Sequence, residues 1–353
     1  MENIKKGLKA LHDTGTGLTV ITARAVILAT ILCDKPEVLD YTFHDGSQFR
    51  ASESFIRGFL HGTLNWSMRR ATQATQKLPK DWEEQCERSF LRKAYVIKEE
   101  DIPIEIYINS DQTQVVYSPG NRMTWAPSGS KQVQLVGVDE KRAFTLLVSV
   151  SASGNVLPFQ AIYAGKSPLS CPRDDARHIE DVQKAGFHLV PSGTTTYWSN
   201  LETMKDFVTY ILAPYFTDMK AKLGLPKSQK SLWQIDVWSV HRSQVFRDWM
   251  KKTHLNIILD FVPGGCTGVH QPCDVGIQRV LKHSIRRSYL EGVMEEFREQ
   301  LEKNGNISGL DSHVGNLRNH SVKWIWDAYQ SINKPELVKK VISCSLYPKN
   351  VSS

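Results

Sequence analysis

The sequence predicts an α/β protein, a mixed sheet covered by helices and preceded by a small all-α region. Three observations carry that expectation. Up to about Pro79 apolar residues recur at helical spacing, with Ile4, Leu8 and Leu11 on one face. The stretches "IPIEIYINSD" and "FTLLVSVSASGNVLPFQAIYAG" then switch to the patterning of strands. From Leu201 onward helical and strand-like runs alternate, which adds parallel strands to the meander and covers the sheet with helices.

At 353 residues the chain exceeds the usual single-domain length, so two domains are expected. Hydrophobic residues at 41% and charged residues at 23% belong to an ordinary globular protein and exclude a disordered, collagenous or disulfide-stapled one. Lys+Arg 44 against Asp+Glu 37 leaves a net charge of +7, which favours polyanionic partners without requiring them. Six cysteines, with no C-x-x-C pair among them, read as free thiols of a reducing compartment. No leader pattern opens the chain, and the apolar run from Ala23 to Cys33 is too short for a bilayer. The chain therefore reads as neither exported nor membrane-embedded.

In chain order, Thr22 is a candidate cap for a helix with apolar residues from Val26 to Leu32. Next, "SESFIRGFLHGTLNWSMRRATQATQKLP" reads as two short helices, the first ending near Gly62, with a tight turn at Asn65 and Trp66 and a cap at Ser67. The second helix presents Arg69, Arg70, Gln73, Gln76 and Lys77. Their reach and donor patterns suit base edges and phosphates in a major groove, although the same residues also make an ordinary solvated face. A charged helix over residues 81–101 connects to the first strand, which is expected to end at Asp111. Ser153, Gly154 and Asn155 supply a hairpin turn. A helix from about Leu201 to Leu223, interrupted near Pro214, leads into the strand "SLWQIDVWSV". The helix "SQVFRDWMKKT" and the strand "LNIILDFVP" follow. From Pro272 the chain is helical nearly to its end.

Three aspartates stand out by position: Asp111 at the end of the first strand, Asp236 within a central strand, and Asp274 in the first turn of the helix after Pro272. If the first and fourth strands are neighbours, the two strand aspartates lie side by side and the helix brings up the third. Clustered carboxylates repel one another unless a divalent cation neutralises them, and hard oxygen donors suit Mg²⁺ or Mn²⁺. Taken singly, each aspartate is as well explained by a surface charge, a cap or an ion pair. Cys266, His270 and Cys273 surround the third aspartate and suggest zinc, but they supply three ligands where a structural site takes four. The carboxylate reading is preferred, with the cysteines as small packing residues and Gly264 and Gly265 turning the backbone between strand and helix.

The blocks "INSDQTQVVY", "TWAPSGSKQVQLVGVDEKRAFTLLVSVSASGNVLPFQAIYAGK", "LWQIDVWSVHRS" and "FVPGGCTGVHQPCDVGIQRVLKHSIRR" resemble those of the DDE-1 superfamily endonuclease domain. That domain is the core of pogo/Tigger-type transposases, relatives of centromere protein B. The resemblance covers roughly Ile102 to Ser345. It implies an RNase H-like fold and carries catalytic and metal-binding roles onto Asp111, Asp236 and Asp274, holding two Mg²⁺ or Mn²⁺ ions. It also implies supporting roles for His241, Gln271 and Lys282, the last toward a DNA phosphate. Residues 50–79 are similar to the second helix-turn-helix of the family's DNA-binding region, which favours the groove-reading alternative for Arg69, Arg70, Gln73, Gln76 and Lys77.

The organisation that follows is a partial helix-turn-helix region over 1–80, a helical linker over 81–101, an RNase H-like core over 102–345 and a tail over 346–353. The resemblance implies a nuclear, Mg²⁺-dependent endonuclease and strand-transfer enzyme acting on double-stranded DNA, both transposon ends and target. Self-association is in keeping with it. The competing expectation is a domesticated, catalytically silent DNA-binding protein. Two departures bear on the choice. Val237 stands where many relatives have asparagine, and the first helix-turn-helix of the usual pair is abbreviated.

Overall fold

The computed structural model describes residues 1–13, 20–67, 78–117, 142–304, 311 and 313–346. The chain divides into two compact units, Met1–Thr75 and Gln76–Ser353. In the first, α1 (Glu2–Asp13), α2 (Val20–Asp34), α3 (Glu37–Asp40) and α4 (Glu53–Leu64) surround a small core of Ile4, Leu8, Ala23, Ile27, Ile56 and Phe59. α2 begins two residues before Thr22, the expected cap, because the apolar pattern extends back to Val20. The Ser52 hydroxyl caps α4 by accepting from the Phe55 amide at 3.2 Å. α4 runs past Gly62 and closes at Asn65, whose φ of 54° is the left-handed conformation that ends many helices.

The second unit starts with α5 (Trp82–Glu99), followed by a short 3-10 turn and β1 (Tyr107–Val116). β2 (Ala143–Ser151), β3 (Gln160–Tyr163), α6 (Ile179–Lys184) and β4 (His188–Pro191) come next. The long helix expected after Leu201 forms as α7 (Leu201–Phe207) and α8 (Ala213–Lys222) around a π-helical turn at Val208–Leu212. Pro214 lies in the first turn of α8, where its missing N–H costs nothing. β5 (Ser231–Ile235), α9 (Ser239–Arg242), α10 (Gln244–Thr253), β6 (Ile257–Phe261) and α11 (Thr267–His270) follow. A second π-helical turn, Cys273–Ile277, opens α12 (Gln278–Asn304), and α13 (Val314–Ile332) and α14 (Pro335–Leu346) complete the described fold.

The six strands form one sheet in the order β4-β3-β2-β1-β5-β6. β1, β2 and β3 are antiparallel neighbours, whereas β5 joins β1, β6 joins β5 and β4 joins β3 in parallel. Without the edge strand β4, this is the RNase H-like arrangement. The first strand thus neighbours the fifth rather than the fourth, since β4 is a short strand added at the far edge.

Both faces of the sheet are covered. α12, α13 and α14 pack over one, through Leu281, Trp324, Ile325 and Val341, and α7, α8 and α10 over the other, through Met204, Phe216 and Phe246. This explains why every residue of β2 is buried.

β1 differs from the expected strand at both ends. Ile104–Ile106 forms a 3-10 turn after Pro103, and the strand passes Asp111 to reach Val116. Gln112 and Gln114 made a loop look natural there. Pairing with β2 from Ile108↔Ser151 to Val116↔Ala143 supplies the backbone partners, and Gln114 donates to the Tyr197 hydroxyl at 2.6 Å.

Candidate active site

β1 and β5 run in the parallel register Tyr107↔Leu232, Ile108↔Trp233, Asn109↔Gln234. Two residues further along each chain the same register sets Asp111 level with Asp236, at the roughly 4.8 Å spacing of neighbouring strands. Asp111 lies in the middle of β1, five residues before its end, where the sequence put it at the end, and Asp236 lies one residue beyond β5, where the sequence put it within the strand. Leaving the ladder frees the backbone at Asp236 to turn into α9. That turn brings back His241, whose Nδ1 lies 2.8 Å from Asp236 Oδ1. His241 is buried against Trp238 in an edge-to-face contact, and its Nε2 has no partner among the described residues.

The third aspartate arrives on the π-helical turn. The Cys273 amide donates to Asn109 Oδ1 at 3.0 Å, and Gln271 Nε2 donates to the Ser110 carbonyl at 3.3 Å. The segment leading into Asp274 is therefore tied at two points to the β1 residues that precede Asp111. On its other side the turn packs closely on α14. A Cβ at Gly276 would lie 2.5 Å from Val341 Cγ2, so only glycine fits this approach.

Asp111 and Asp274 lie close enough for each carboxyl to act on the titration of the other. Burial raises the Asp111 pKa well above the ordinary carboxylate range, and the charges of Asp274 and then Asp236 push it further. Burial also raises Asp274, against the pull of Asp111 and of the Lys282 charge. The Gln278 amide donates to Asp111 Oδ2 from one helical turn beyond Asp274.

Three carboxylates that sense one another make the all-oxygen donor set that suits Mg²⁺ or Mn²⁺. Among the described residues, no three His, Cys, Asp or Glu side chains approach closely enough to hold a metal ion as they stand. That closeness is what mutual repulsion resists. The zinc alternative has no such convergence. Cys273 Sγ points at the Asn109 and Val148 carbonyls, both at 3.8 Å, while Cys266 is a free thiol beside that of Cys86 on α5. Neither ring nitrogen of the buried His270 has a partner among the described residues.

Of the supporting residues read from the sequence, His241 touches Asp236, Gln271 clamps the turn, and Lys282 acts on Asp274 through its charge. Arg69, Arg70, Gln73, Gln76 and Lys77 lie outside the described residues. Two residues of the site escaped sequence reading, Asn109 and Gln278. Asn109 stands two places before Asp111 on the same face of β1, and Gln278 four places after Asp274 on the same face of its helix, so each spacing held the signal.

An RNase H-like sheet with one carboxylate in the middle of β1 and another just past the end of its parallel neighbour β5 defines a nuclease-type core. The DDE superfamily endonuclease family matches residues 140–340, more than half of the chain, and the chain belongs to that family. Asp236 and Asp274 fall inside the matched stretch and Asp111 before it.

The human "Pogo transposable element with KRAB domain" is 22% identical over 313 residues, which are 84% of this chain and 44% of that protein. The chain thus spans less than half the length of this curated relative. Among solved structures, the mariner Mos1 paired-end complex with Mg aligns with a TM-score of 0.40 and 12% identity, over 96% of this chain and 77% of that one. The pre-cleavage Mos1 transpososome aligns with a TM-score of 0.40 and 9% identity, over 83% and 71% respectively.

Proposed function

We propose that the chain is a metal-dependent DNA endonuclease with strand-transfer chemistry, acting on double-stranded DNA in the nucleus. Asp111, Asp236 and Asp274 are its ligands for two Mg²⁺ or Mn²⁺ ions. The observation that carries this reading is that β1, the end of β5 and the π-helical turn bring up three carboxylates, with Asp111 feeling the charges of both others. When bound, such ions lower the pKa of an attacking water and stabilise the leaving oxygen of a phosphodiester.

The chain's own residues do the rest. His241 orients the Asp236 carboxylate from a buried position, Asn109 and Gln271 hold the turn that carries Asp274, and Lys282 offers a cation to a DNA phosphate. Family membership and the relative named a pogo transposable element support transposon ends and target DNA as substrates. Arg69, Arg70, Gln73, Gln76 and Lys77 are proposed to read DNA through the helix-turn-helix, and pairing of two ends would call for a second copy of the chain.

One contact favours a second reading, a DNA-binding protein derived from a transposase with a silent site: Gln278 donates its amide to a carboxylate oxygen that an ion would need. Nicking of supercoiled plasmid carrying cognate ends, in Mg²⁺ or Mn²⁺, separates the two. The endonuclease reading expects nicking that Asp274→Ala abolishes while DNA binding persists. Binding without nicking in the wild type, under both metals, makes the silent protein the better account.

A further inference from the structure

A cavity of about 320 Å³ opens at the carboxyl ends of β1, β3 and β4, the same end of the sheet as Asp111 and Asp236. This volume is at the low end for small-ligand sites. Tyr117, Arg142, Arg318, Thr196, Tyr197 and Trp198 line it.

The cavity is built rather than incidental. The Thr145 hydroxyl donates to the Tyr197 carbonyl at 2.7 Å and Gln114 to the Tyr197 hydroxyl at 2.6 Å, which fixes the wall from the sheet. Trp198 stacks beside Tyr197 with centroids 5.0 Å apart and planes 35° apart, yet it is 58% exposed. A large aromatic held in place and left to water is a surface awaiting a flat partner. Opposite, Arg318 is pinned by donation to the Ala164 carbonyl at 2.7 Å, and its buried Nε has no partner among the described residues. With this guanidinium and no carboxylate in the described lining, the favoured ligand is both planar and anionic.

Tyr117 and Asp111 lie on the same face of β1, six residues apart, a path of about 20 Å or some six base steps of duplex. Resting on the DNA-endonuclease reading, we propose that the cavity takes one unpaired nucleotide of the strand held at the carboxylates. Its base stacks on Trp198 and Tyr197, and its phosphate is met by Arg318. A duplex cannot enter so small a space, but a frayed or single-stranded end can.

The test uses the full chain in EDTA, so that cleavage plays no part. Fluorescence anisotropy compares a blunt hairpin duplex with the same duplex carrying a six-nucleotide single-stranded tail, 3′ or 5′, with 2-aminopurine in the tail. The wild type is expected to bind one tailed form about 5-fold or more tightly than the blunt one, with quenching of 2-aminopurine. Trp198→Ala should lose the tail advantage and the quenching while keeping blunt-duplex affinity, and Trp198→Phe should restore most of both. Equal affinity of the wild type for tailed and blunt DNA, or a tail advantage that survives Trp198→Ala, overturns the subsite alone. Failure of the wild type to bind either probe overturns the DNA-acting reading and the subsite together.

Discussion

Asp260, buried, and Asp111, half-buried, are carboxylates on strands of one sheet, and their surroundings are opposite. Asp260 on β6 receives Arg92 at 2.7 Å and the Gln234 amide at 3.2 Å, with the charge of Lys93 nearby. Gln234 in turn accepts from the Tyr107 hydroxyl at 2.9 Å, which closes a network between α5 and the sheet. Asp111 faces two further carboxylates, and the charge of Lys282 acts on Asp274. A buried charge that is matched within the chain is part of the scaffold, whereas one surrounded by its own sign calls for a partner from outside.

The largest effect should come from Asp111. Asp111→Asn is expected to cut metal-dependent nicking by about 10³-fold or more. It should also leave the metal-free protein at least as stable as wild type at neutral pH, because it removes a repulsive charge. A nicking rate within tenfold of wild type would place the chemistry elsewhere.

Two buried bases beside the Asp260 network sharpen the contrast through pH. Burial pulls Lys93 down to about 8, partly offset by Asp260. Its folded pKa lies below the unfolded value of 10.5, so the folded state holds fewer protons. The stability penalty is therefore full below about 8 and disappears as pH rises toward 10.5. Lys93→Met should stabilise the protein at pH 7 by as much as about 3 kcal/mol in urea unfolding, and the gain should vanish near pH 10.5.

Burial, then the charges of Lys93 and Arg92, pull His270 down to about 4. Its contribution is present above about 6.5 and lost as pH falls toward 4. His270→Leu should flatten that acid limb, again by as much as about 3 kcal/mol. An unchanged slope would mean that His270 stays solvated.

Asp260→Ala should cost about 2 kcal/mol by leaving Gln234 and Arg92 without their acceptor. The half-exposed Arg92 keeps the figure from being larger. The smallest effect is the shift on adding Mn²⁺. At ten times its Kd the ion should stabilise the wild type by about 1.4 kcal/mol, and Asp236→Asn much less. That shift should grow as pH rises above the ordinary carboxylate range, since burial raises the pKa of both Asp111 and Asp274 and ligand carboxyls must lose their protons before they bind an ion. Equal shifts in both proteins, read by thermal unfolding, would remove Asp236 from the ligand set.

Much of the fold was legible because it rests on local patterning. The helices around Leu8 and Ile27, the hairpin at Ser153–Asn155, the apolar strand before Asp236 and the helix after Pro272 all follow from the periodicity of their own residues. Non-local pairing hid the rest. β1 continues past Asp111 only because β2 offers it a ladder, and β4 is a four-residue strand that exists by pairing with β3. The two π-helical turns depend on packing, as at Gly276 against Val341.

By itself the sequence determined the class of fold and the family, and it singled out the three aspartates proposed as ligands, since residue type and spacing along the chain are local properties. Only the tertiary structure decided that Asp111 stands level with Asp236, that Asn109 reaches across 164 residues to hold the turn of Asp274, and that Asp260 is matched while Asp111 is not. Register, burial and charge pairing arise between segments distant in sequence, and the electrostatic cost of a carboxylate is set by what surrounds it rather than by its neighbours in the chain.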